Sequence, residues 1–473
     1  MTPATTTTMK INSKSTPLLN FCTFNARSLL DAGQLADFED QAARINFDVI
    51  GLSEVRRRGT ARLDLSSGYS LFYSGESDQS RNGVGFYMSQ NWTARVLEFV
   101  PVSSRIASVL LDLDSRKTIR LVQVYAPTTA YDDDVIESFY EDLDGAIRGS
   151  STATHTIIMG DFNAKVGQQI DEERATGQFG RGERNERGQM LVDFCEARRI
   201  VIGNTLFKKG SRRKWTWRSA NGETLNEIDF VLSSHREIFT DVSVLNKFTT
   251  GSDHRLVRAT ITVQGSRTRW HQLARWRAPR KPAIRRLNPA IYRYAIEDFM
   301  RSNASGDNEL DDQYGAIVNT IRDAAQIASE ELLAPTKITE ETRQLLKKRQ
   351  ELKKTGKMDI EYAELCKLIR KRLKIDLNNW QLSIVTSAIE NNRGLRKVRQ
   401  QLSTGTRPMI AVRLADGRVR HDRKSLLEEV QQFYNNLYSS MTPVPTSLKL
   451  PDEEPIAPFL DCEVRQALIS MRS

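Results

Sequence analysis

Cysteine is scarce in this chain, with four residues among 473. Cys22, Cys195, Cys366 and Cys462 lie far apart and form no CxxC pair. Neither a zinc site of closely spaced thiolates nor a disulfide framework is therefore predicted, and a reducing compartment is the simplest location for the protein.

Long apolar runs are also missing. A membrane helix needs about 20 consecutive apolar residues, and no stretch of this sequence approaches that length. Residues 1–17 are rich in Thr, Ser and Lys without the apolar segment of a secretory signal, so we expect a disordered tail. The sequence predicts no membrane partner and a location in the nucleus or cytoplasm.

Acidic residues are under-represented in the second half of the chain. Residues 265–473 hold 37 Lys and Arg against 26 Asp and Glu, whereas residues 1–264 hold 32 against 33. Residues 267–286 contain eight basic residues and no acid, which indicates a basic linker over 265–290 or a segment that faces nucleic acid. Residues 291–400 have helical periodicity, and their basic clusters would suit a polyanion, nuclear import or simply a solvated helix face.

The motif Gly160-Asp161-Phe162-Asn163 follows a short apolar run and is the centre of the first half. A β-branched run that breaks at glycine predicts a buried strand that ends in a tight turn at the rim of a sheet. There Asp161 could accept a proton from water and Asn163 could donate to a phosphoryl oxygen. A turn built on Asx side chains is the alternative.

Other predicted strands also end in polar residues. Residues 18–24 end at Asn25, and residues 48–52 end at Ser53 and Glu54. Carboxylate and amide oxygens suit a hard divalent cation, although a surface glutamate at a strand end is an equal explanation. Residues 120–125 end at Tyr125 before a proline, so this tyrosine is either a core residue or part of the same rim.

Asp229 lies inside a predicted apolar strand, where an unpaired carboxylate would be unfavourable. The segment Ser252-Asp253-His254 supplies a partner. An aspartate bonded to imidazole fixes its tautomer and favours its charged form. His254 could then stabilise a pentacovalent phosphate, and Asp253 could help to hold a metal.

Basic residues surround two tryptophans in Lys214-Trp215-Thr216-Trp217-Arg218. We expect one of Trp215 and Trp217 to lie in the core and the other to be able to pack against a nucleotide. Arg27, two residues after Asn25, is a further candidate contact to nucleic acid.

Taken in order, seven motifs resemble those of the endonuclease/exonuclease/phosphatase superfamily. They are Asn25, Ser53-Glu54, Val124-Tyr125-Ala126-Pro127, Gly160-Asp161-Phe162-Asn163, Asn204-Thr205, Ile228-Asp229-Phe230 and Ser252-Asp253-His254. The amino-acid sequence of these motifs is most similar to that of the apurinic-endonuclease-type domain of non-LTR retrotransposons, over about residues 18–264. The resemblance implies an α/β fold, a four-layer α/β sandwich of two mixed sheets flanked by helices, and the basic helical extension would follow it.

The resemblance also implies roles for individual residues. The implied metal is Mg²⁺, which Mn²⁺ could replace, and its implied ligands are Asn25, Glu54 and Asp253. Asp161 would activate water. The remaining implied catalytic residues are Asn163 and Tyr125 at the scissile phosphate and His254 oriented by Asp229. Asn204 and Ser252 correspond to further site positions.

Residues 401–473 resemble the connector that precedes a reverse transcriptase in such elements, with a hairpin around Asp416-Gly417 and a helix over residues 425–438. No polymerase palm follows, so we expect either a truncated or fragmentary element product or a gene model that was cut short. The predicted function is a Mg²⁺-dependent, retrotransposon-derived endonuclease that nicks DNA, with element RNA as a further partner of the basic half. The alternatives are a catalytically idle nucleic-acid-binding remnant and a repair nuclease or phosphatase of the same fold.

Overall fold

The structure is a computed structural model. It describes residues 18–114, 117–149, 153–263, 337–355, 360–391, 405–414 and 416–439, with short stretches between 285 and 403. The predicted tail at 1–17 and most of the predicted linker at 265–290 lie outside the described residues. Contacts divide the chain into two compact units, Met1–Ser425 and Leu426–Ser473. The domain limits predicted from the sequence stay predictions.

Two β-sheets form the centre of the first unit. The strands of the larger sheet are β1 (Leu18–Asn25), β2 (Val49–Ser53), β3 (Thr60–Leu65), β4 (Tyr69–Ser74), β5 (Val84–Ser89), β14 (Phe239–Val244), β15 (Val257–Thr262) and β18 (Gly405–Thr406). Those of the smaller sheet are β6 (Val96–Pro101), β7 (Ile106–Asp114), β8 (Lys117–Tyr125), β9 (His155–Asp161), β10 (Val201–Ile202) and β13 (Asp229–Ser233). Their orders are β14-β15-β1-β2-β5-β4-β3-β18 and β10-β13-β9-β8-β7-β6. Both sheets are mixed, because β1 and β2 are parallel, as are β8 and β9, while the other pairs are antiparallel.

Three layers of apolar side chains hold the sheets and helices together. The helices of this region are α1 (Ala32–Ala42), α2 (Gln90–Thr93), α3 (Asp133–Arg148) and α4 (Glu186–Ala197). The inner faces of the two sheets share one core that contains Phe21, Phe86, Leu121 and Met159. The outer face of the smaller sheet packs with α3 and α4, and the outer face of the larger sheet packs with α1. The four-layer α/β sandwich expected from the sequence is thus confirmed.

Helix α3 forms in a largely polar segment because its few apolar residues lie on one face. Its buried residues are Ile136, Phe139, Leu143 and Ala146, a spacing of three and four that places them on one face of a helix. Asp133 and Asp134 occupy the first turn, where acidic groups favour the helix dipole. The acidic run before this helix is therefore a helix start.

The basic extension contributes two long helices to the first unit, α5 (Glu340–Thr355) and α6 (Ile360–Glu390). They run antiparallel, since Lys348 pairs with Glu361 and Glu341 with Arg372. Their apolar contacts involve Leu346, Leu365, Ile369 and Leu373, and α6 also contacts α1. The helical periodicity predicted for the basic extension is confirmed over these two helices.

Short elements complete the described chain. They are β11 (Trp217–Arg218), β12 (Leu225–Asn226), β16 (Arg285–Leu287), β17 (Ser329–Glu331), β19 (Val412–Arg413), β20 (Val419–Arg420), the 3₁₀ turns Gly203–Leu206, Ser211–Arg213 and Arg236–Ile238, and α7 (Arg423–Tyr438). Strands β19 and β20 form the hairpin expected around Asp416-Gly417. None of the helices in the described part of the chain combines the length and apolar character needed to cross a bilayer.

Candidate active site

The strand ends of both sheets meet at one rim. Asn25, the last residue of β1, lies beside Ser53, the last residue of β2. In the other sheet Asp161 pairs in register with Tyr125 on one side and with Asp229 on the other. The crossovers of the two parallel pairs bring these ends together, so residues far apart in the chain share one small volume.

Gln123 connects the two sheets directly beneath this rim. Its Nε2 donates to the hydroxyl of Thr23 at 3.1 Å and to that of Ser53 at 2.9 Å, and all three side chains are buried. Ser53 in turn donates to the carbonyl of Val124. Gln123 was not among the residues predicted from the sequence. A glutamine inside the apolar run of β8 is nevertheless a visible signal, because a buried amide requires partners.

Asn25 is buried and bridges two carboxylates. Its Nδ2 donates to Glu54 Oε1 and to Asp161 Oδ2, each at 2.9 Å. Its Oδ1 accepts from the backbone N–H of Arg27. In this arrangement Asn25 orients both carboxylates and turns its amide NH₂, rather than its oxygen, toward them.

The residue before Asp161 must be a glycine, because no other side chain fits at position 160. Gly160 has φ +154°, and a Cβ at this position would lie 2.1 Å from the carbonyl oxygen of Val124. Asp161 is buried, and its Oδ1 accepts from the N–H of Asn163 at 3.0 Å. Burial and the nearby Asp229 raise the pKa of Asp161 to about 7, against the lowering effect of His254. A carboxylate with such a pKa is suited to accept a proton near neutral pH.

His254 and Asp229 form the pair that the sequence predicted. The imidazole Nδ1 lies 2.9 Å from Asp229 Oδ2, while Nε2 lies 3.8 Å from Asp161 Oδ2, and all three residues are buried. Burial lowers the pKa of His254, but the two carboxylates outweigh it and raise this pKa to about 9. The histidine therefore carries a positive charge at neutral pH.

Asn163 and Tyr125 border the same volume. The Asn163 Nδ2 donates to the carbonyl of Ala126 at 2.8 Å, which fixes the orientation of the amide. The Tyr125 hydroxyl faces Glu54, and burial together with this carboxylate raises the pKa of the phenol. Tyr125 is thus a neutral donor at the rim, with Arg105 lying 5.3 Å from the centre of its ring.

The loop that carries Asp253 is tied to the first strand. Ser252 Oγ donates to the carbonyl of Asn25 at 2.7 Å and accepts from the N–H of His254. Asp253 accepts from the indole N–H of Trp217 and forms an ion pair with Arg27 at 3.6 Å. Ser252 therefore positions the loop, and Asp253 faces the open side of the rim.

The two tryptophans have different environments. Trp215 is 7% exposed, and the guanidinium of Arg255 lies 3.2 Å from the centre of its ring. Trp215 is therefore the core member of the two tryptophans, with Arg255 packed on its ring. Trp217 is half-buried beside Asp253 and remains the tryptophan that can meet a ligand.

Asn204 supports the site from behind. Its Oδ1 accepts from the N–H of Val231 and its Nδ2 donates to the carbonyl of Asp229, both at 3.0 Å. Thr216 Oγ1 accepts from the N–H of Asp229 on the other side. Asn204 therefore holds β13 in place and lies apart from the open rim, and Thr216, which the sequence analysis did not identify, has a similar role.

Two groups of side chains could hold a cation. Asp161, Asp229 and His254 have ligand atoms within 4.8 Å of one another. A charged imidazole, however, has a proton on both nitrogens and is no ligand. Glu54 and Asp161, which the amide NH₂ of Asn25 joins, offer carboxylate oxygens, which suit a hard divalent cation. Asp253 Oδ1, on the loop that Ser252 ties to Asn25, is buried without a hydrogen-bond partner among the described residues.

The profile of the Endonuclease/Exonuclease/phosphatase family matches residues 22–254. Residues 22–254, just under half of the chain, are therefore similar to this family. Its members are usually hydrolases that act on phosphodiester or phosphate bonds, and the fold generally uses a divalent metal. The matched residues include the whole rim described above.

Two curated relatives and several solved structures are similar to about half of this chain. Craniofacial development protein 2 of Bos taurus is 34% identical over 239 residues, and that of Tragulus javanicus is 33% identical over the same length. These matches cover 50% of this chain but only 40% and 41% of the relatives, so the chain spans about two fifths of their length. The AP endonuclease LMAP from Leishmania major is 16% identical, with a TM-score of 0.39 over 52% of this chain and 88% of that chain. A 3′ phosphatase from Neisseria, bound to a product DNA hairpin, is 17% identical with a TM-score of 0.38 over 52% of this chain and 100% of that chain.

Proposed function

We propose that residues 18–264 are a Mg²⁺-dependent DNA endonuclease that hydrolyses a phosphodiester bond by attack of water. The observation that carries the proposal is the juxtaposition of Asp161 with the Asp229–His254 pair on one side and with Asn25 and Glu54 on the other. A proton acceptor, a charged imidazole and an oxygen-rich cation site within one rim are the groups that phosphodiester hydrolysis requires.

The residues have distinct tasks in this proposal. Asp161 accepts the proton of the attacking water. His254, held and kept charged by Asp229, stabilises the negative charge that grows on the phosphoryl oxygens. Asn163 and Tyr125 donate hydrogen bonds to the scissile phosphate.

Carboxylate oxygens at this rim support the proposed metal. Glu54 and Asp253 would hold Mg²⁺, with Asn25 setting the orientation of Glu54. When bound, the ion supplies Lewis-acid stabilisation of the phosphoryl oxygens. Mn²⁺ would satisfy the same oxygen ligands.

The same proposal includes the origin of this nuclease domain, which would derive from a non-LTR retrotransposon. It is supported by the motif wording around Asn25, Asp161 and His254, and by the basic helices that follow the domain. Element RNA as a partner is a further proposal.

Nicking of supercoiled plasmid tests the activity. The full chain is expected to convert plasmid to the open circle with Mg²⁺ and to stop when the metal is chelated. Asp161→Ala should abolish nicking, whereas Glu172→Ala, which changes an exposed carboxylate, should not. If the wild-type chain binds plasmid without nicking it, the nucleic-acid-binding remnant is the better description.

A comparison of substrates distinguishes an element endonuclease from a repair nuclease or a phosphatase of the same fold. Plain duplex, duplex with one abasic site and duplex with a 3′ phosphate should be offered at equal concentration. Preference for plain duplex supports the element endonuclease, and preference for either of the others supports a repair nuclease or phosphatase.

A further inference from the structure

The helix pair α5–α6, which lies outside the matched family region, is fixed by buried charges to the catalytic loop, residues 249–254, which carries Asp253 and His254. Arg349 has a side chain that is 2% exposed, and its two terminal nitrogens bind both oxygens of Asp37 on α1 at 2.9 Å. The same guanidinium donates to the carbonyl of Thr249 at 2.9 Å. Lys353, also buried, points its Nζ at the carbonyls of Ser252 and His254, at 3.3 and 3.5 Å. A buried two-pronged ion pair has a defined geometry, so the helices have one position relative to the rim.

A cavity of about 1530 Å³ lies between α6 and the loops at the rim. Arg27, Trp217 and Asp253 belong both to the candidate active site and to the wall of this cavity. Ile369 and Leu373 of α6 form part of the opposite wall. The cavity therefore borders the candidate active site on the side of Arg27, Trp217 and Asp253.

The side of the cavity formed by α6 carries a stripe of positive charge. The basic residues of this stripe are Lys367, Arg370, Lys371 and Lys374. Their spacing of three, four and seven places them on one face of the helix. All four are exposed, and among the described residues only Lys367 has an acidic partner at close range, Glu364 at 2.6 Å.

The rest of the lining adds to this charge. Among the described residues, the cavity is lined by eight basic side chains and three acidic ones. Asp37 is neutralised by Arg349 and Asp253 by Arg27. The excess of positive charge faces the cavity, where it would attract a polyanion strongly.

We propose that α6 is the second wall of a groove that binds the sugar-phosphate backbone of the DNA duplex next to the bond that is cut. The proposal rests on the proposed nuclease function for the identity of the duplex. The groove residues Lys367, Arg370, Lys371 and Lys374 would contact phosphates, while Arg27 and Trp217 would contact the strand closer to the rim. DNA is favoured over RNA because the groove opens onto the catalytic residues.

Two variants of the full chain with equal changes of charge test the proposal. The groove variant carries the substitutions Lys367→Gln, Arg370→Gln, Lys371→Gln and Lys374→Gln. The control variant carries changes on the same helix pair that do not line the cavity, namely Arg343→Gln, Lys347→Gln, Lys348→Gln and Arg372→Gln. Circular dichroism and thermal melting should show that both variants fold.

Fluorescence anisotropy with a duplex DNA, without metal, measures binding independently of cleavage. The groove variant should bind the duplex at least about tenfold more weakly. The negative slope of the logarithm of the association constant against the logarithm of the salt concentration should become shallower by about 0.9 for each phosphate contact that is lost. The control variant should change affinity much less. Equal effects of the two variants, or tighter binding of a single-stranded RNA of the same length than of the duplex, would overturn the proposal.

Single-turnover nicking at saturating protein then separates the groove from the nuclease. The groove variant should cut at the wild-type rate once saturated, because its catalytic residues are unchanged; a slower rate at saturation would count against a role in binding alone. A wild-type chain that shows the expected difference in binding but nicks nothing would refute the proposed function and leave the groove as a DNA-binding surface.

Discussion

Replacing Arg349 by methionine should destabilise the first unit strongly. Burial lowers the pKa of Arg349, but Asp37 outweighs it and holds this pKa above the ordinary value. The attraction between Asp37 and the charged guanidinium is therefore larger than the cost of burying that charge. Removing one partner of a buried pair typically costs about 3–5 kcal/mol, since Asp37 would remain buried without its counter-charge. At about 2 °C for each kcal/mol in a unit of this size, the melting temperature should fall by about 6–10 °C.

A double variant shows whether the cause is the unpaired charge. Arg349→Met combined with Asp37→Leu removes both charges and fills the space with apolar atoms, and such replacements are often neutral. The double variant should therefore recover most of the lost stability in the same calorimetric measurement. If the single variant melts within about 2 °C of the wild type, or if the double variant is no better than the single one, the docking described for α5 is not present in solution.

Three further predictions concern the candidate active site. Asp229→Asn should lower the single-turnover rate of nicking by about 10²–10⁴, because His254 loses the group that orients it and keeps it charged; a retained rate would remove the pair from the mechanism. The raised pKa of His254, about 9 against 6.5, means that its charged form contributes to folding stability fully below pH 6.5 and loses that contribution as the pH rises through about 9. Melting temperatures should therefore fall more over this interval in the wild type than in His254→Gln, and equal falls would contradict the assignment. Asn25→Ala removes the amide that bridges Glu54 and Asp161, so half-maximal nicking should need more Mg²⁺, and an unchanged requirement would exclude Asn25 from the metal site.

Local patterns in the sequence predicted much of the rim. The break of an apolar run at Gly160 predicted that Asp161 would stand at the end of a strand, and the structure has β9 end there. The cost of burying a lone carboxylate predicted a partner for Asp229, and His254 lies 2.9 Å away. Both predictions succeeded because the physical cause acts within a few residues or follows from burial alone.

Other features depended on distances that no local pattern encodes. The sequence did not distinguish Trp215 from Trp217, since the difference arises from the position of Arg255 over one ring. The alternatives for Tyr125 likewise required the packing of the two sheets, because Glu54, which lies near its hydroxyl, follows β2 of the other sheet.

The sequence by itself determined the elements of this protein: which segments become buried strands, where they end, and which chemically active side chains follow them. Only the tertiary structure decided that α5 belongs against the catalytic loop, through a contact between Arg349 and Asp37 that spans 312 residues. The reason is physical. Periodicity and turn chemistry act over a few residues, whereas the choice of partner for a buried charge depends on how distant parts of the chain pack and on the loss of water around both groups.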